Sequence, residues 1–140
     1  MTPAEAWRIL AEAELIHSAQ AVSLAITNLD EVAPTITSGA TATAIAENSG
    51  AGQVIYTVTS TDSGDIATGA TTYSLKPATG DGAAFSIDGS SGAVTLTGNP
   101  NYETQSSYSF TVVATDAAGN SAEEHTSELQ SLNLKAYAAF

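Results

Sequence analysis

Apolar and polar residues alternate through the middle of the chain in short runs: Val54-Tyr56-Val58, Tyr73-Leu75, Phe85-Ile87, Val94-Leu96 and Tyr108-Phe110-Val112-Ala114. Successive side chains of a strand point to opposite faces, so a period of two rich in β-branched and aromatic residues predicts half-buried strands. Turn-forming clusters separate the runs: Asn48-Ser49-Gly50, Ser63-Gly64-Asp65, Thr79-Gly80-Asp81-Gly82, Asp88-Gly89-Ser90-Ser91-Gly92 and Gly98-Asn99-Pro100. Glycine supplies positive φ, Asp and Asn close Asx-turns, and Pro fixes its own φ. Many short strands spaced in this way predict an all-β, antiparallel Greek-key sandwich over residues 35–122. Tyr56, Tyr73, Tyr108 and Phe110 fall on its core faces rather than on a sugar-binding platform.

The two ends follow other patterns. Thr2-Pro3-Ala4-Glu5 is a capping box with proline at the first helical position, and Trp7, Leu10, Ala11 and Leu15 share one face, so residues 1–17 read as a short helical segment. It is too short and too charged to span a membrane, and it lacks the basic start and apolar run of a signal peptide. Residues 18–34 form a separate piece, in which Val22, Leu24 and Ile26 alternate as in a strand before the acidic stretch Asp30-Glu31-Val32-Ala33-Pro34.

Composition narrows the function classes. Cysteine is absent, which removes disulfides, thiol nucleophiles and thiolate metal sites. The formal net charge is −12, and from Ser18 to Ala122 the acids Asp30, Glu31, Glu47, Asp62, Asp65, Asp81, Asp88, Glu103 and Asp116 face Lys76 alone. Such a surface repels phosphate backbones, so nucleic acid is excluded as a partner. Crowded like charges also weaken a small fold unless they are neutralised, and divalent cations would do this. Both histidines, His17 and His125, lie outside the sandwich. No Gly-x-Ser-x-Gly elbow, phosphate loop or His-Glu-x-x-His motif occurs, and no serine has a base in reach, so the chain reads as a non-enzyme.

Taken in order, the remaining motifs resemble a cadherin-type repeat, closest to the Thr-, Ala- and Gly-rich tandem repeats of giant secreted bacterial adhesins of the RTX type. The resemblance covers roughly Ala21 to Asn120. Asp30-Glu31-Val32-Ala33-Pro34 resembles the acidic linker between repeats, with Ala21–Thr27 as the last strand of a preceding one. Ala46-Glu47-Asn48-Ser49-Gly50 resembles the Glu-Asn motif after the first strand. Thr61-Asp62-Ser63-Gly64-Asp65 resembles the Asp-x-Asp-x-Gly loop, and Phe85-Ser86-Ile87-Asp88 with Ser91-Gly92-Ala93-Val94 resembles the central hairpin. Pro100-Asn101-Tyr102-Glu103 resembles the Leu-Asp-Tyr-Glu motif, and Val113-Ala114-Thr115-Asp116 matches the end of a Val-x-Ala-x-Asp strand. The N-terminal helix has no counterpart in the family.

The resemblance implies a rod unit stiffened by Ca²⁺, partnered by adjacent repeats of the same polypeptide and placed outside the cell. One ion would be held by Asp30 and the carbonyl of Val32 from the linker, by Asp62 and Asp65 from the loop, and by Asp116. Glu31 would face a second ion shared with an upstream repeat. Glu47, Asn101 and Glu103 would serve ions at the opposite pole. Calcium takes six to eight oxygen ligands in flexible geometry, which carboxylates and carbonyls supply. Two positions depart from the family: Gly64 stands where the loop's second Asp is usual, so Asp65 reaches the ion only if the loop bulges, and Asn101 replaces an acid. Set against ligation, carboxylates beside Gly or Ser in turns commonly cap their own backbone, which is the expectation for Asp81 and Asp88.

After Asn120 the family pattern breaks off. Glu123-Glu124-His125-Thr126-Ser127-Glu128-Leu129-Gln130-Ser131 looks like the translation of a sequencing-library adapter, so residues 123–140 read as a non-native tail and the sandwich as lacking its last strand. An edge left open in this way is a template for pairing. Leu129–Ala136, or the Ala21–Thr27 strand of a second molecule, is expected to fill it by strand exchange. The alternative reading of the whole is a ligand-binding sandwich, a carbohydrate-binding or immunoglobulin-like module, for which Tyr102 is one of the few candidate aromatics.

Overall fold

A computed structural model describes residues 2–5, 19–67 and 69–132, with the side chains of all of these except 127–132. Nine strands form among the described residues: β1 (Thr35–Ile36), β2 (Ile45–Ala46), β3 (Gln53–Thr57), β4 (Ser60–Thr61), β5 (Thr72–Leu75), β6 (Phe85–Ile87), β7 (Ala93–Leu96), β8 (Ser107–Thr115) and β9 (Ser121–Leu132), of which β3 and β5 to β8 lie on the alternating runs. One layer has the order β2-β9-β8-β5 and the other β3-β7-β6, with β1 paired to β4. Hydrogen bonds from the Thr37 N–H to the Thr59 carbonyl (2.8 Å) and from the Thr43 N–H to the Ile55 carbonyl (2.7 Å) lay residues 35–43 along the second layer. Pairing is antiparallel throughout except between β2 and β9.

The core fills the space between the layers. Ile45, Phe110 and Val112 from the first meet Ile55, Tyr56, Val58, Phe85, Val94 and Leu96 from the second, with Tyr73 and Tyr108 partly buried against them. Phe110 sits at the centre, its ring 5.9 Å from Tyr56 edge-on and 4.6 Å from Phe85. Such aromatic pairs add about 0.5–1.5 kcal/mol beyond the area they bury. Tyr56 also places its hydroxyl on the Gly39 carbonyl and 2.7 Å from Ser38 Oγ, which satisfies the one polar atom it brings into the core. At the β6–β7 turn Gly92 has φ +73°, and a Cβ there would stand 2.5 Å from the Val58 carbonyl oxygen, so only glycine fits.

One alternation is broken. The register of β3 on β7 shifts between Val54 and Tyr56, and this bulge turns Val54 outward, 57% exposed, while Ile55 and Tyr56 are both buried. The sequence pattern places Val54 in the core; an extra residue in one strand reverses the facing of what precedes it.

Three expectations about the ends meet different outcomes. The capping box forms: the Glu5 N–H donates to Thr2 Oγ1 (3.4 Å) and the Thr2 N–H to Glu5 Oε2 (3.0 Å) at the start of the helical turn 3–5, while residues 6–18 lie outside the described residues. Ala21–Thr27, expected as a strand, pairs with no sheet, and Val22, Leu24 and Ile26 are 88%, 86% and 89% exposed. A strand needs a ladder partner, and as the end strand of a preceding repeat this segment would find it in that repeat's sheet; among the described residues it has none.

The third expectation, a missing last strand, is corrected. β9 pairs with β8 in antiparallel register from Thr115↔Ser121 to Ser107↔Gln130, running through the adapter-like residues. Ladder pairing is a backbone property and needs no apolar side chain; Thr126, buried, adds a bond from its Oγ1 to the Phe110 carbonyl (2.7 Å). Lys76, across β8, meets Glu123 at 2.6 Å. The edge of β8 is thus closed from within the chain, and the premise for strand exchange there is gone. Residues 133–136 lie outside the described residues.

Candidate metal centre

At one pole three segments come together because of the strand order. The linker enters β1, whose Thr35 pairs with Thr61 at the end of β4, so Asp30 and Asp62 approach each other. Thr115, the last residue of β8, pairs with both Thr72 and Ser121, which sets Asp116 at the start of the β8–β9 turn on the same side. Ligand oxygens of Asp30, Asp62 and Asp116 all lie within 4.8 Å of one another, the one such group of three among the described residues. Asp30 and Asp116 are buried and Asp62 is half-buried.

The electrostatics of this trio are uneven. Asp116 Oδ1 accepts from the N–H groups of Gly119 (2.7 Å) and Asn120 (2.8 Å), and its Oδ2 from Asn120 Nδ2 (2.9 Å). Burial acts to raise its pKa, but these bonds outweigh burial and hold it below the ordinary 3.8. Asp62 has no such support: its Oδ2 is buried and accepts no hydrogen bond. Burial first, then the carboxylates of Asp30 and Asp116, raise its pKa. Three carboxylates converging on a buried oxygen without a donor fit a hard divalent cation, whose charge would offset theirs.

The other predicted residues are placed differently. Val32 packs on the loop, where a Cβ at Gly64 would be 2.7 Å from its Cγ1; the bare glycine lets linker and loop meet. Asp65 Oδ1 accepts from Asn28 Nδ2 at 2.6 Å, so its carboxylate is turned to the linker's amide and is not part of the trio. Glu31, next to Asp30 in sequence, is exposed. At the opposite pole Glu47 Oε2 accepts from the Tyr102 N–H (3.3 Å), Asn101 Oδ1 accepts from the N–H groups of Glu103 (3.0 Å) and Thr104 (3.2 Å), and Glu103 is exposed.

Of the two acids expected to cap turns, Asp88 does so through the N–H groups of Ser90 (2.9 Å) and Ser91 (2.8 Å), which lower its pKa. Asp81 instead reaches along the chain to the Ser109 N–H (2.8 Å) and Gln105 Nε2 (2.8 Å), tying its turn to the start of β8. Sequence reasoning missed Asn120, whose Nδ2 also donates to the Asp30 carbonyl at 3.0 Å. Its position in a Gly-Asn turn four residues after Asp116 was the available signal.

A family model for the Cadherin domain matches residues 41–130, a span that includes most of β9. No curated protein matches. Among solved structures, the protocadherin gammaB7 EC3-6 cis-dimer is 22% identical with a TM-score of 0.65, over 82% of this chain and 29% of that one. The protocadherin GammaB4 extracellular domain is 24% identical with a TM-score of 0.64, over 76% of this chain and 17% of that one. Mouse cadherin-23 EC22-24 is 23% identical with a TM-score of 0.62, over 76% of this chain and 34% of that one. These likenesses show the sandwich fold, and the chain spans about a third or less of each of these three molecules.

Proposed function

The chain belongs to the cadherin family, and from that premise we propose that it is a calcium-binding structural and adhesion repeat, one rigid link in an extracellular, multi-repeat bacterial adhesin. The observation that carries this reading is the meeting of Asp30, Asp62 and Asp116 within 4.8 Å, from three segments far apart in sequence. A site that draws one ligand from the linker and two from the domain body couples the two mechanically. Asp30 belongs to the linker, so whatever holds its carboxylate also holds the direction in which an upstream repeat leaves. Asp62 and Asp116 belong to the tops of β4 and β8, which the sheets fix. In this reading the Val32 carbonyl would be a further linker oxygen for the shell, and Glu31 would serve an ion shared with a repeat upstream.

Bound between these oxygens, Ca²⁺ supplies two positive charges that convert mutual repulsion into a cross-link. The exposed row Val22, Leu24 and Ile26 fits the same picture as the final strand of a preceding repeat, whose own sheet would cover it. The bacterial, secreted setting rests on the resemblance of the motifs to the Thr-, Ala- and Gly-rich tandem repeats of secreted bacterial adhesins. Among the described residues no helix is long and apolar enough to cross a membrane. The repeat is a non-enzyme in this reading, with no nucleophile–base pair assigned to it.

A thermal melt with Ca²⁺ and with chelator, on the chain and on an Asp62→Ala/Asp116→Ala variant, tests the proposal. Calcium binding to the folded state alone stabilises by about 2.7 kcal/mol at a hundred times the dissociation constant. The expected result is a melting point several degrees higher in calcium for the parent chain and unmoved in the variant. Equal melting points for the parent chain in calcium and chelator would overturn the reading.

A further inference from the structure

Three contacts fasten the linker to the pole using protein atoms only. Asn120 uses both hydrogens of its side-chain amide, one to the Asp116 carboxylate (2.9 Å) and one to the backbone carbonyl of Asp30 (3.0 Å), a residue 90 positions before it in sequence. Asn28 donates to Asp65 Oδ1 at 2.6 Å on the loop. Between them Val32 sits against Gly64, where any side chain would push it away. The Asn120 amide is itself held, since its backbone N–H bonds to Asp116 Oδ1 (2.8 Å) and its carbonyl accepts from the Asp116 N–H (3.0 Å).

We propose that Asn120 and Asn28 are positioning residues that keep the linker docked before any cation arrives, so that Asp30 is presented to Asp62 and Asp116 in advance. This deepens the calcium reading and rests on it for its affinity arm. A neutral amide is well suited here because it donates to the crowded oxygens without adding charge, whereas a lysine or arginine would compete with a cation for the same carboxylates. Asn120 acts through Asp30 and Asp116 and is not itself counted among the ligands. The ordering cost of the linker is then met by protein hydrogen bonds, and the cation's binding free energy is not spent on docking it.

The test uses the full ¹⁵N-labelled chain in chelator, reading backbone relaxation at the amides of residues 28–33. In the parent chain these are expected to be nearly as rigid as β8, with order parameters near 0.85, and in Asn120→Ala to fall toward the flexible range below about 0.6. Calcium titration should then show Asn120→Ala binding about five- to tenfold more weakly, the fold-change of one lost hydrogen bond. Asn28→Ala removes only an exposed contact and serves as the second variant if Asn120→Ala does not fold; it should loosen residues 28–30. Linker amides as mobile in the parent chain as in the variants, or rigid in all three, overturn the latch. The chelator arm contains no calcium, so a chain that fails to bind the ion defeats the proposed function and leaves this arm to decide the latch separately.

Discussion

At the pole where β1 begins and β8 ends, three carboxylates turn oxygens toward one another; at the opposite pole, where β2 ends and β3 begins, Glu47 and Asn101 turn theirs to backbone N–H groups and Glu103 to solvent. The same residue types do opposite things. Glu47 and Asn101 close the turns around Pro100 and so support the fold as it stands. Asp62 is left with a buried oxygen that no donor reaches, and its pKa is raised by burial and by its two acidic neighbours. An acid is a candidate ligand when the fold brings it to others and withholds donors; when donors are at hand it is a structural group.

The sharpest way to break this contrast is Asp62→Asn. In calcium the variant loses one charged ligand, and affinity should fall by about tenfold to a hundredfold, the range for a charged contact. In chelator the sign reverses: removing the buried charge removes repulsion, so the variant should melt higher than the parent chain. Glu47→Gln, the matched change at the other pole, should shift neither. A calorimetric titration and paired melts measure both arms, and an Asp62→Asn chain that is less stable in chelator would mean that the trio is not under charge strain.

Acidity provides a second, smaller contrast. The folded chain binds a proton at Asp62 more readily than the unfolded chain does, because its folded pKa lies above 3.8. Without metal, stability should therefore rise as pH falls from neutral through that raised value. Asp116 runs the other way: its folded pKa lies below 3.8, so its contribution is present above that value and is lost as pH falls through the depressed one. Metal-free chain should be most stable in the mildly acidic window between these two. Protons compete with the cation at Asp62, so calcium should move the optimum toward neutral pH. Denaturant melts across pH, with chelator and with calcium, would show the two optima apart; coincident optima would count against a shared site.

Much of this was legible in the residues, and the rest fails for physical reasons. Period-two alternation found β3 and β5 to β8, since one buried face leaves a direct imprint on sequence, whereas the two-residue strands β1, β2 and β4 are too short to show a period. Val54 misled because a bulge reverses facing without altering composition. β9 was invisible for a related reason: Glu123-Glu124-His125 carries no apolar stripe, and the backbone ladder that holds it leaves no mark on side-chain pattern. The convergence of Asp30, Asp62 and Asp116 was readable only through the family's motif order, because nothing local ties residues 30 and 116. Asp65 was read as a ligand from the family resemblance although it stands one place late in the loop, while its bond to Asn28 depends on how the loop meets the linker. Asn120 escaped notice since an asparagine beside glycine in a turn has an ordinary explanation, and its reach to the Asp30 carbonyl spans most of the domain.

The smallest expected effect is Asn101→Ala, and its value lies in what calcium does to it. Asn101 Oδ1 holds two exposed N–H groups, those of Glu103 and Thr104, so its loss should cost about 1 kcal/mol and lower the melting point by a few degrees. If this pole is structural in the isolated chain, the deficit is the same with calcium and with chelator, because no ion is gained or lost there. A deficit that widens in calcium would make Asn101 a ligand after all, with Glu47 and Glu103 as its natural companions. The poles would then differ in degree: the first would be complete within one chain, while the second would await oxygens from a following linker to raise its affinity.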